Sequence, residues 1–244
     1  MIIVSVKNEI ESALRQLGNF ERRQLPFVIA KALTATAQDA KAALRTAMPA
    51  AYDRPTPWTL NSLYVSPATK ANLEARVFLK DQASGGTPAA KYLGPSIFGG
   101  QRRTKGVERL LTGMGVLPQG MAGVPASGAE IDSYGNMKRG QYTKIIKQIK
   151  TDGLTGPSIA AKKRKSKVRA TYFVAVPGVS KLHPGVWERA GSSKGGGVRP
   201  VMLFIKVPAY KKQFDFFGLT EKTIRNRFSV NLSDAMAYAL ATSR

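Results

Sequence analysis

The chain has 244 residues, 43% of them hydrophobic, and a formal net charge of +23. That apolar content supports a packed core, in one large domain or two small ones, and argues against wholesale disorder. With no cysteine and a single histidine, His183, disulfide scaffolds, thiolate metal sites and histidine clusters are excluded.

The charge is unevenly placed. Residues 1–100 carry 12 Lys and Arg against 7 Asp and Glu, whereas residues 101–244 carry 26 against 8. Between Ser133 and Phe214, 18 basic residues face only Asp152 and Glu188. Like charges at this density repel within a compact domain unless nucleic acid, an anionic membrane or an acidic partner surface lies close by. No run of about 18 apolar residues exists, so no membrane-spanning helix is expected. The apolar start, Met1-Ile2-Ile3-Val4-Ser5-Val6, soon meets Lys7, Glu9 and Glu11 and is too short for a signal peptide. A cytoplasm-like compartment, or assembly there into something larger, is the expectation.

In chain order, residues 2–17 begin strand-like and continue as a short helix, with Val6, Ile10, Ala13, Leu14 and Leu17 at helical spacing. A longer helix is predicted from about Pro26, which a first helical turn tolerates, to just before Pro49. It carries Phe27, Ala30, Leu33, Ala37, Ala40 and Leu44 on one face, and its many alanines favour both the helix and close packing. Tyr52-Asp53-Arg54-Pro55-Thr56-Pro57 reads as a rigid connector, because each proline restricts itself and the residue before it. Leu63 and Val65, then Leu73, Ala75, Val77 and Leu79, alternate with mostly polar neighbours around a turn at residues 67–70. That is the period-two pattern of a half-buried hairpin.

From residue 81 to 136 glycine and proline become dense, leaving only short helical pieces at residues 89–93 and 107–111. The next helix, residues 137–150, buries Tyr142, Ile145, Ile146 and Ile149 and turns Lys144, Lys147 and Lys150 the other way. A linker at residues 153–167 precedes strand-like runs at 171–176, 185–189 and 201–207, with a hairpin loop at 191–197. Thr220 is expected to cap a final helix carrying Ile224, Phe228, Leu232, Ala235 and Ala239. The predicted fold is α+β, an antiparallel sheet with the long N-terminal and C-terminal helices packed on one face. Residues 1–80 and 137–244 form its core domain, and residues 81–136 a Gly/Pro-rich insertion or extended arm.

Residues 162–169 include Lys162, Lys163, Arg164, Lys165, Lys167 and Arg169. With Lys144, Lys147 and Lys150, and with Arg102, Arg103 and Lys105, they form a candidate polyanion-facing surface; the alternative is a solvated loop. Phosphate contact of this kind releases counterions and is steeply salt-dependent. No aromatic interrupts the run to stack on bases, so any contact with nucleic acid is with the backbone, without sequence readout. The glycines around Lys194 lack the Gly-Lys-Ser/Thr ending and the following helix of a nucleotide loop. Glu130 and Asp132 sit in a glycine-bounded turn, and His183 has no serine–carboxylate arrangement beside it. No nucleophile elbow, metal-ligand spacing or carboxylate pair stands out, which predicts a protein that is no enzyme and takes no cofactor or metal. Residues 206–217 mix aromatics with bases. They read either as a docking surface, with Tyr210 and Phe216 joining Trp58 as anchors, or as Phe214, Phe216 and Phe217 closing the core.

Three stretches carry a resemblance. Residues 52–63 (Tyr52-Asp53-Arg54-Pro55-Thr56-Pro57-Trp58 onward), residues 134–141 (Tyr134-Gly135-Asn136-Met137 onward), and Arg199-Pro200-Val201-Met202-Leu203-Phe204-Ile205 with the Phe214–Phe217 cluster resemble proteins of tailed bacteriophages and prophages. The outline is similar to the minor tail protein Z, or tail-completion, group. That resemblance implies a non-enzymatic virion protein at the head–tail junction, made in the host cytoplasm. It would form a cyclic homo-oligomer between portal or connector and the tail tube or terminator, with viral DNA held by non-specific phosphate contact. Two alternatives stay open: a tail-tube or baseplate component contacting protein only, and a nucleic-acid-binding protein outside any particle.

Overall fold

A computed structural model describes residues 19–152, 172–176, 180–189 and 197–242. The fold is α+β, with long N- and C-terminal helices packed together and antiparallel sheets. The chain divides into two compact units, residues 1–99 with 211–244, and residues 100–210. The division therefore falls at 99/100 and 210/211 rather than at 80/81 and 136/137. The physical reason is that the Gly/Pro-rich stretch supplies parts of both cores. Among the described residues the strands form three sheets rather than one.

The first unit is built on α1 (Asn19–Ala51) and α6 (Phe216–Thr242). In α1, Val28, Ala32, Thr36, Ala40, Leu44 and Met48 are all buried, a stripe with a spacing of four. The helix runs past Pro26 and Pro49, where sequence reasoning set its ends, with Leu25 buried before the first proline and Ala51 packed on the core after the second. Packing outweighs the local cost of a proline. In α6, Phe228 packs with Ala235 and Ala239 against Val28 and Ala32, where the small residues permit close approach. A polar seam fixes the register of the pair. Asn231 Nδ2 donates to Thr36 Oγ1 and Asp39 Oδ2, both at 3.0 Å, and Arg227 Nε donates to Asp39 Oδ2 at 2.9 Å. Burial opposes ionisation of Asp39, but these two donors outweigh it and hold its carboxyl below the ordinary range.

Helix α6 begins four residues earlier than Thr220. Asp215 Oδ1 accepts the Gly218 N–H at 3.2 Å and so caps it, while Thr220 lies inside and donates to the Phe216 carbonyl at 2.7 Å. The other core of this unit joins the C-terminal half of α1 to the hairpin of β1 (Leu63–Ser66) and β2 (Arg76–Leu79) and to α3 (Ala89–Phe98). The hairpin register pairs Leu63 with Leu79 and Val65 with Val77, but its second strand starts only at Arg76, so Leu73 and Ala75 lie in a connection longer than the turn expected at residues 67–70. Between α1 and β1, α2 (Pro57–Leu60) is a single turn that starts with proline and is capped by Thr56.

The second unit holds β3 (Gly100–Gln101), α4 (Gly106–Gly113), β4 (Met121–Pro125), α5 (Arg139–Asp152), β5 (Tyr172–Ala175), β6 (Gly185–Arg189), β7 (Val198–Lys206) and β8 (Ala209–Tyr210). Strands β4, β7, β6 and β5 form an antiparallel sheet in that order, and β3 pairs with β8. Pro200 sits inside β7 opposite Trp187, beside a bulge whose extra residue, Val201, belongs to β7 itself, a place where a residue with no N–H is tolerated. Two close approaches need glycine. A Cβ on Gly123 would meet Met202 Sδ at 2.5 Å, and one on Gly185 would strike the Met202 carbonyl. Val186, Val201, Met202 and Phe204 are the centre of this core, closed by Leu111, Leu117, Ile145 and Ile149.

The expected helix at residues 2–17, the linker at 153–167 and most of the hairpin loop at 191–197 lie outside the described residues.

Candidate polyanion-facing surface

The second unit has 20 Lys and Arg against 5 Asp and Glu, and the first 18 against 10. Helix α5 is the element that sets part of this charge in fixed positions. It follows a tight turn in which Asp132 Oδ1 accepts the N–H groups of Tyr134 and Asn136, both at 2.9 Å. Asp132 is thus a turn former. Gln141, 1% exposed, then ties the first turn of α5 down. Its Oε1 accepts the Glu130 N–H at 2.7 Å and its Nε2 donates to the Gly128 carbonyl at 3.2 Å. Further along, Ile145 and Ile149 enter the core, and Gln148 Oε1 accepts the Tyr172 N–H of β5 at 3.1 Å.

With that face fixed, Lys144, Lys147 and Lys150 are exposed, as the periodicity predicts. Three residues of helix advance about 4.5 Å, so the three ammonium stems form a row on a rigid support. Among the described residues, Lys144 is the one of the three with an ion-pair partner, Glu130 at a loose 3.9 Å. Lys138 and Arg139, at the start of α5, are exposed as well and were missed in the sequence. Cations at a helix N-terminus work against the macrodipole, and that was the available signal that they do not serve the helix itself.

Arg102 is a correction. It was grouped with the polyanion-facing residues, but its guanidinium forms a bidentate pair with the buried Glu108. Glu108 also accepts the Lys105 N–H at 2.7 Å and the Gly123 N–H at 3.1 Å. Burial opposes its ionisation, yet Arg102 and the two backbone donors prevail and hold the carboxyl below its ordinary range. Arg102 is therefore spent inside the protein. Arg103 and Lys105 are exposed. Lys162, Lys163, Arg164, Lys165 and Lys167 lie outside the described residues.

Of the expected docking residues, Trp58 and Tyr210 are exposed, whereas Phe216 is buried among Phe214 and Phe217 and belongs to the core. His183 is exposed, with its carbonyl accepting the Trp187 indole N–H at 2.9 Å. Among the described residues, no helix is long and apolar enough to cross a membrane. Comparison with protein-family models, curated proteins and solved structures gives no match.

Proposed function

We propose that this chain is a non-enzymatic structural subunit of a tailed-phage particle at the head–tail junction. It joins connector to tail as a cyclic homo-oligomer and lines or seals the DNA exit path. The observation that carries the reading is the charge of the second unit, with Lys144, Lys147 and Lys150 displayed on a helix whose opposite face is locked in the core. A ring multiplies that charge around one axis, which favours a polyanion or acidic subunits at the axis. The resemblance of residues 52–63, 134–141 and 199–205 to tailed-phage proteins, and of the outline to the tail-completion group, supports the same reading.

The test is an inventory of purified particles by mass spectrometry, followed by the triple variant Lys144→Gln, Lys147→Gln and Lys150→Gln. The expected result is a fixed copy number per particle, with DNA retention in the variant weakened and more salt-sensitive. Absence of the protein from finished particles removes the reading. Normal DNA retention with failed tail joining moves the lysines onto a protein partner.

A further inference from the structure

We propose that the trough between β2 and α3 receives an extended segment of a partner protein, laid beside β2 as a third strand. The segment carries large apolar residues at alternate positions and a base. The trough has a volume of about 440 Å³ and is walled by Tyr64, Phe78, Ala90, Gly94, Ile97 and Phe98. It follows from the local sequence. Leu63, Val65 and Val77 of the hairpin enter the core, so Tyr64 and Phe78 face the other way, their rings 5.3 Å apart. On α3, Leu93 and Ile97 enter the core, while Ala90, Gly94 and Phe98 recur every fourth residue along another side. The floor of the trough lacks bulk, because a Cβ on Gly94 would meet no atom within 4 Å. Phe98, 69% exposed, is the most exposed large apolar side chain among the described residues. Rings left open around an apolar recess mark a binding surface.

The main chain of β2 sets the form of the occupant. The Lys80 N–H donates to the Ser62 carbonyl at 2.8 Å, which fixes the phase of the ladder. Tyr64 and Phe78 therefore exchange bonds, and the N–H and C=O groups of Val77 and Leu79 point away from β1. Among the described residues those four groups have no hydrogen-bond partner, and β2 has no second neighbouring strand. The trough reaches this margin. It touches both Phe78 and Leu79, consecutive residues whose side chains lie on opposite faces. A helix brings no free main-chain groups to such a margin, whereas an extended segment does. A strand residue paired with Leu79 also places the residues before and after it on the face of Phe78, inside the trough.

Charge sets the rest. Two charged residues line the trough, Arg76 and Asp81. Arg76 is neutralised by Glu74, with Nε and a terminal nitrogen donating to the carboxylate at 2.6 and 2.7 Å. Asp81 is exposed and forms no ion pair among the described residues. The trough thus carries one uncompensated negative charge on a chain of net charge +23. Apolar walls and a lone carboxylate repel a polyanion and suit a segment that pairs apolar residues with a base. This inference stands on β2 and α3 and holds whether or not the protein sits in a phage particle.

The experiment titrates the full chain with the capped peptide Ser-Leu-Ser-Phe-Lys, followed by NMR. Two control peptides accompany it, one N-methylated at the serine between Leu and Phe, the other with Glu in place of Lys. The expected result is shifts at the Leu79 and Gly94 amides and the Phe98 ring. The N-methylated peptide should bind about tenfold more weakly, having lost its main-chain bonds to the margin. The Glu peptide should bind about threefold more weakly, and Asp81→Asn should remove that difference. Gly94→Leu should fill the floor and stop binding. Phe98→Ala, at an exposed position, should weaken binding about tenfold with the melting temperature little changed. No shift at millimolar peptide, equal binding of the N-methylated peptide, no preference for Lys over Glu, or full binding by Phe98→Ala overturns the proposal. So does free indole binding as tightly as the peptide, which makes the trough a small-molecule site. The same shifts on concentrating the chain alone also overturn it, because the occupant is then a second copy.

Discussion

The two units treat charge in opposite ways. In the first, acids and bases meet: Asp39 with Arg227, Glu74 with Arg76, Asp215 with Lys212 and Glu221 with Arg225. In the second, three of the five carboxylates are committed to structure. Glu108 is used up by Arg102 and two backbone N–H groups, Glu188 is paired with Arg199, and Asp132 closes a turn. The cations of α5 are left facing solvent with little to neutralise them. The lesson is that total charge says less about binding than where the acids have gone. The first unit, with 18 bases to 10 acids, is partly compensated; the second, with 20 to 5, is much less so.

The sharpest way to break this comparison is to empty each core in turn. Phe228→Ala and Phe204→Ala should each cost about 4 kcal/mol. Calorimetry should show each lowering the transition of its own unit, and a single transition lowered equally by both would erase the distinction between units. Next in size is Glu108→Gln, which leaves Arg102 buried without its countercharge and should cost about 3 kcal/mol in denaturant unfolding. The same variant has a pH signature. A carboxyl whose folded pKa lies below its ordinary 4.5 contributes stability that is complete above that pH and lost as pH falls through the folded value. The native protein should therefore lose stability on acidification through this group, and Glu108→Gln should show a shallower acid dependence.

Smaller is Asn231→Ala, which unties Thr36 and Asp39 and should cost about 1.5 kcal/mol, measured on the first unit. Smallest is replacement of Lys147 and Lys150 by Gln, which should change stability by less than about 0.5 kcal/mol. If that pair proves strongly destabilising, the α5 lysines are structural and the contrast between the units fails.

What could be read from the residues depended on how local the cause was. Helix α5 was legible because Ile145 and Ile149 recur at helical spacing while Lys144, Lys147 and Lys150 fall between them. The β1–β2 hairpin was legible from the alternation of Leu63 and Val65, and of Val77 and Leu79. Strand β4 was not. Met121-Ala122-Gly123-Val124-Pro125 reads as a loop, and only the approach of Met202 explains why a glycine belongs in the sheet there. Arg102 reads as a surface base beside Arg103, because it lies in a loop and its partner Glu108 in the following helix, a pairing that no single-element periodicity reports.

Glu108 has one more consequence. Gly123 N–H belongs to β4, an outer strand paired only with β7, and the carboxylate occupies it. Pro125, at the end of the same strand, has no N–H to offer. The margin of this sheet therefore rejects a foreign strand, whether from a misfolded neighbour or from a stacked copy. Copies crowded together therefore gain no backbone ladder at β4.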